Sequence, residues 1–83
     1  MSRVIFRRLD QLKAAGSLED VRNLPGKYHE LKGNRKGQLA AHLIEPDRIV
    51  FVPRGSVEQF LENGLLVWKN VTVVEIIGIG DYH

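Results

Sequence analysis

The chain has 83 residues, one small domain near the lower limit of what folds without disulfides, metals or a partner. It has no cysteine, which excludes a disulfide framework and a thiolate metal site and favours a cytoplasmic protein. The net charge of +2 hides an asymmetry: residues 1–38 carry nine Lys/Arg against four Asp/Glu, and residues 39–83 carry three against six, so the first half is the natural surface for a polyanion.

The start, "MSRVIFRRL", interrupts its apolar run with arginines, so no export signal is expected. No apolar stretch reaches the roughly 20 residues of a membrane helix, and a soluble protein follows as the expectation. From Arg3 to Ala15 the residues Ile5, Leu9 and Leu12 fall at i, i+4 and i+7, the spacing of an amphipathic helix with a basic wet face. Gly16 ends it. Ser17 and Asp20 resemble a capping box, so a second short helix is expected over Leu18–Asn23, stopped by "LPG".

The period then changes. "KYHEL" fits a short strand, and "GQLAAHLI" and "RIVFV" fit two strands joined by the turn-forming "EPD" as an antiparallel hairpin. In the first of these two, Leu39, Ala41 and Leu43 share one face, with Ala40, His42 and Ile44 on the other. Residues 53–66 read as a surface excursion with a helical turn at Val57 to Leu61. The β-branched run "NVTVVEIIGIG" suits a central strand with both faces covered. Helices first and a meandering sheet afterwards give a single α+β domain over residues 1–83, its two layers being N-terminal helices on a small, largely antiparallel sheet.

Three groups of residues carry chemistry. In "YHELKGNRKG", His29, Lys32, Arg35 and Lys36 surround two glycines that let a backbone approach a phosphate, but the pattern is not that of a P-loop. Arg48 opens the strand "RIVFV", and Asp81, Tyr82 and His83 close the chain directly after the last strand. Read alone, each has a bland alternative: a solvated hairpin loop, an edge or ion-pair arginine, a loose tail. His29, His42 and His83 lack the spacing of a helical zinc site, and no serine lies in a nucleophile-elbow context, so neither a metal nor a cofactor is expected. His42, among small apolar residues of a strand, reads as structural. What remains is suited to metal-free RNA cleavage, in which a base activates the 2′-hydroxyl, cations hold the phosphorane and an acid protonates the 5′-oxygen. DNA lacks that hydroxyl, so such a site selects RNA.

The order "SLEDVRNLPGKYHELKGNRKGQ", then "DRIVF", then a last strand closing on "DYH" resembles the HigB toxins, the proteic or plasmid maintenance killer proteins of the RelE/ParE superfamily, from about Leu9 to His83. The resemblance implies a RelE-like fold and a bacterial type II toxin, a ribosome-dependent mRNA endoribonuclease that inhibits translation and is held inactive by a HigA-like helix-turn-helix antitoxin. It also implies a catalytic set at His29, Lys32, Arg48, Asp81, Tyr82 and His83. Lys32 and Arg48 would stabilise the phosphorane, His83 or His29 would move protons, Tyr82 would position a base and Asp81 would orient a histidine. Arg7, Arg8, Lys27, Arg35 and Lys36 would contact rRNA or phosphate without sequence preference. ParE-type relatives share the scaffold without the catalytic set and bind DNA gyrase, so the alternative is a member of this fold that binds gyrase, RNA or antitoxin and does not cleave. Members of the family usually begin with a further strand and most of a long helix before the region matching "RVIFRRL". Without that strand a sheet edge stays unpaired, and self-association, or instability without the antitoxin, is expected.

Overall fold

The computed structural model describes residues 2–81. Helix α1 spans Ser2–Ala14. Its Val4, Ile5, Leu9 and Leu12 pack on the core, while Arg3, Phe6, Arg7 and Asp10 stay exposed, the two-sided pattern its spacing requires. The chain then turns back through Asp20, whose carboxylate accepts the backbone N–H of Gly16 at 2.8 Å and of Ser17 at 3.4 Å. The expected second helix is a single 3-10 turn, Leu18–Val21. It is cut short because Pro25 disfavours helical backbone at the residue before it. Leu18 and Val21 are buried, and the Leu18 N–H donates to the Val71 carbonyl at 2.9 Å. That bond joins the turn to another at Trp68–Asn70.

Four strands form the main sheet: β1 (His29–Glu30), β2 (Leu39–His42), β3 (Arg48–Pro53) and, after an excursion, β6 (Val74–Gly80), in the order β1-β2-β3-β6 and antiparallel throughout. The expected hairpin is present, with Leu39 opposite Phe51, Ala41 opposite Ile49 and His42 opposite Arg48. Paired residues share a face. Leu39, Ala41, Leu43, Ile49 and Phe51 therefore line the core, and His29, Ala40, His42, Arg48 and Val50 lie on the reverse face. The connection is a tight turn in which Asp47 N–H donates to the Ile44 carbonyl at 2.8 Å, with a cis Glu45–Pro46 peptide.

Two expectations fail. The last strand is not central: among the described residues β6 has one neighbour, β3, and its Ile76, Ile77 and Ile79 are 38%, 46% and 48% exposed. The central place belongs to β3, whose Ile49, Val50 and Phe51 are fully buried. Apolar, β-branched composition states a demand for burial but not how many neighbours a strand receives. A bulge lies at the join: Val50 pairs with Gly78 and Phe51 with Ile76, so Ile77 has no partner of its own. The excursion also holds more structure than expected. After a 3-10 turn at Val57–Phe60, strands β4 (Leu61–Glu62) and β5 (Leu65–Leu66) form a small hairpin about Asn63 and Gly64, both in the left-handed region at φ +55° and +78°. Asn-Gly is the pair that a two-residue hairpin turn favours. Among the described residues, no helix is long and apolar enough to cross a membrane.

Tyr28 links the layers. Its ring is buried, meets Phe51 edge-on at 6.1 Å, and its hydroxyl donates to Gln11 Oε1 on α1 at 2.7 Å. Burial pushes the phenol up to about 12, opposed by the nearby Arg8 cation. The unfolded chain's tyrosine ionises first, near pH 10, so Tyr28's contribution is complete below that pH and is lost as pH rises toward 12. Tyr28→Phe should cost about 1 kcal/mol at pH 8 by removing one hydrogen bond and should flatten the alkaline loss. Urea unfolding at pH 8 and pH 11 checks this. An equal alkaline loss in both proteins would contradict it.

Candidate active site

The two ends of the sheet differ in chemistry. At one end His42, Arg48 and Gly80 form a row across β2, β3 and β6, and the chain leaves β6 directly into Asp81. The His42 N–H donates to the Gly26 carbonyl at 2.6 Å, and the His42 carbonyl accepts Arg8 Nε at 2.8 Å. The backbone groups of His42, held by the Gly26 carbonyl and the Arg8 side chain, thus fix this corner between β2, α1 and the "LPG" turn. His29, paired with Ala40, stands on the same face as His42, and their rings lie 5.6 Å apart, inclined at 67°.

Each ring has one nitrogen anchored. His29 Nδ1 lies 2.7 Å from the Lys27 carbonyl, which can only accept, so Nδ1 carries the proton and the lone pair of the neutral ring is at Nε2. Lys27 reaches that carbonyl placement with φ +48°, a left-handed backbone uncommon for a residue with a side chain. His42 Nδ1 lies 2.9 Å from Glu45 Oε1, and the same reasoning assigns its lone pair to Nε2. Arg48 Nη1 donates to the Pro46 carbonyl at 3.0 Å and lies 3.9 Å from Glu45 Oε2. Glu45 therefore stands between a guanidinium and an imidazole. Burial, and next the Arg48 cation, hold His42 below the usual imidazole range, against the opposing pull of its bond to Glu45.

Of the residues singled out in the sequence, His29 and Arg48 lie on this face with His42 of β2 between them, and the chain passes into Asp81 directly after Gly80, the partner of Arg48. Tyr82 and His83 lie outside the described residues. Lys32 leaves the ladder at the other end: Leu31 donates to the Gln38 carbonyl, and Lys32 caps a 3-10 turn at Gly33–Arg35. From Gln38 to His42 is roughly 13 Å at the rise of a strand. Arg35 is half-buried and donates to Gln38 Oε1 at 3.1 Å, while Lys36, Lys27 and Arg7 are exposed. Arg8 is half-buried and spends its Nε on the His42 carbonyl. A groove of about 590 Å³ runs between α1 and Leu24–Pro25, and neither His29 nor His42 lines it. Its lining sets Asp10 and Asp20 against Arg7 and Arg8, a balance that does not favour a polyanion.

His42, read from the sequence as a structural histidine, stands on this same face between His29 and Arg48. The signal lay in the length of the "LIEPD" connection: residues 43–47 close the hairpin in the register that sets His42 opposite Arg48. Together the corner offers two imidazoles with oriented lone pairs, a fixed guanidinium and a carboxylate. Such groups can move protons and stabilise anionic oxygen, and among the described residues of the corner there is no serine, threonine or cysteine to act as a nucleophile. The chain matches no family model, no curated protein and no solved structure.

Proposed function

We propose that the chain is a RelE-like toxin of a bacterial type II toxin–antitoxin pair, an endoribonuclease that cuts translated mRNA on the ribosome. The observation that supports this most is that His29 and Arg48 share one sheet face, on either side of β2, with the strand that leads into Asp81 ending beside Arg48. Arg48 holds the scissile phosphate and the phosphorane that follows, His29 and His83 handle protons, Asp81 orients a histidine, and Tyr82 positions a base. Lys32, at the far end of the ladder, holds a neighbouring phosphate of the same strand. Arg7, Lys27 and Lys36 meet rRNA phosphates, and a HigA-like antitoxin restrains the protein.

Incubation of a defined mRNA with the purified protein, with and without programmed ribosomes, tests the reading when the cuts are mapped by primer extension. Cuts that need the ribosome are expected. A folded protein that makes none would favour a RelE/ParE-fold binder without nuclease activity.

Two copies of the chain pair through the open edge of β6. Edge strands with exposed apolar side chains template such pairing, and Ile76, Ile77 and Ile79 supply them here. Light scattering across a concentration series should show a mass above that of one chain. A stable monomer at every concentration would count against the pairing.

A further inference from the structure

We infer that His42 is a further catalytic residue, the general base that takes the proton of the attacking 2′-hydroxyl, with Glu45 as its positioning residue. This rests on the nuclease reading above.

The first support is placement. His42 and Arg48 are cross-strand partners on one face, and such partners have Cβ atoms roughly 4.5–5.5 Å apart. A phosphate held by Arg48 brings the adjacent ribose oxygen within reach of the His42 ring. The second is preparation. The bond from Nδ1 to Glu45 at 2.9 Å sets the tautomer that leaves Nε2 as acceptor, and the side chain keeps 21% of its surface open. The third is that the ring is spare as structure. The backbone of His42, through Gly26 and Arg8, already fixes the corner, so the imidazole is not needed to hold it.

The step balances without any further reactant. Nε2 takes the 2′-hydroxyl proton, and the 2′-oxygen bonds to phosphorus. The bond from phosphorus to the 5′-oxygen breaks, its electron pair staying on that oxygen, which takes a proton from the acid, the imidazolium of His29 or His83, leaving that ring neutral as His42 becomes the imidazolium. The products are a 2′,3′-cyclic phosphate and a 5′-hydroxyl, and solvent resets the two imidazoles.

Single-turnover cleavage on programmed ribosomes, followed across pH, tests the assignment in the wild type and in His42→Ala, His42→Gln, Glu45→Gln and His29→Ala. Among the described residues the charged or titratable groups that face His42 are Arg48, Glu45 and His29, with Arg8 on its carbonyl, and all four are retained in both His42 variants. His42→Ala and His42→Gln should each lose about 100-fold or more, and the acidic limb of the rate profile should vanish. Added imidazole should restore part of the His42→Ala rate. Glu45→Gln should lose less, about tenfold, and move that limb. His42→Gln guards against a misfolded alanine variant, its fold checked by thermal melting. Rates within threefold of wild type in the His42 variants, or a loss with the acidic limb intact, would overturn the assignment while leaving the nuclease reading standing if His29→Ala is impaired. A wild type that makes no cuts would overturn both.

Discussion

Arg48→Ala should slow mRNA cleavage by roughly 10²–10³-fold while the protein stays folded, the loss seen when one preorganised donor to a developing anion is removed. The arginine is held before any substrate arrives. Its side chain is 12% exposed, Nη1 is bonded to the Pro46 carbonyl at 3.0 Å, and Glu45 flanks it. A donor fixed in this way needs no reorganisation as charge builds on the phosphorane, which is why its removal should appear in the rate constant. The structural cost is smaller. One hydrogen bond to the turn is lost, about 1 kcal/mol. Arg48→Lys should recover little of the rate, since a lysine places a point charge where a planar fork was held. Single-turnover rates with matched melting curves check this. An Arg48→Ala protein that cleaves at the wild-type rate would remove the cation from the mechanism.

Gly26→Ala should be strongly destabilising while leaving the candidate site residues themselves intact. Gly26 sits at φ +129°, where a side chain is strained, and a Cβ there would lie 2.7 Å from Arg8 Nε and 3.1 Å from Tyr28 Cε1. Arg8 would be driven from the His42 carbonyl, and the Gly26 carbonyl that accepts the His42 N–H would shift with it. Backbone strain of roughly 1–3 kcal/mol and one weakened hydrogen bond of about 1 kcal/mol sum to roughly 2–4 kcal/mol. For a domain of this size that lowers Tm by roughly 10–25 °C. Gly33→Ala is the control. Gly33 also has positive φ, +64°, but a Cβ there meets nothing within 4 Å, so its cost is the backbone term of about 1–2 kcal/mol alone. Equal melting temperatures for the two variants would contradict the steric account of the corner.

Periodicity made the main architecture legible. The spacing of Ile5, Leu9 and Leu12 set the buried face of α1, and the alternation of Leu39, Ala41 and Leu43 set the core face of β2. Both patterns are local, and both survive in the structure. What was not legible depends on neighbours. The apolar run from Val74 to Gly80 reads as interior, yet it lies at the sheet edge, because sequence records what a strand buries and not which strands flank it. Asn63 and Gly64 carried a hairpin signal that lay inside a stretch dominated by proline and glycine breaks. The candidate site divides in the same way. His29 and Arg48 were marked by their motifs, whereas His42 became visible through the register across the "LIEPD" turn. Lys32, marked with them, lies at the opposite end of the ladder, a separation along the strands that one-dimensional proximity to His29 conceals.

In the proposed reaction the substrate's own 2′-hydroxyl is the nucleophile. Its most direct test is an mRNA carrying a single 2′-deoxy nucleotide immediately 5′ of the mapped cut, offered to the wild-type protein on programmed ribosomes. Cleavage at that bond should disappear while cuts at unmodified positions persist. Undiminished cleavage at the deoxy position would mean that another nucleophile attacks the phosphorus, and would contradict the mechanism built on His29, His42 and Arg48.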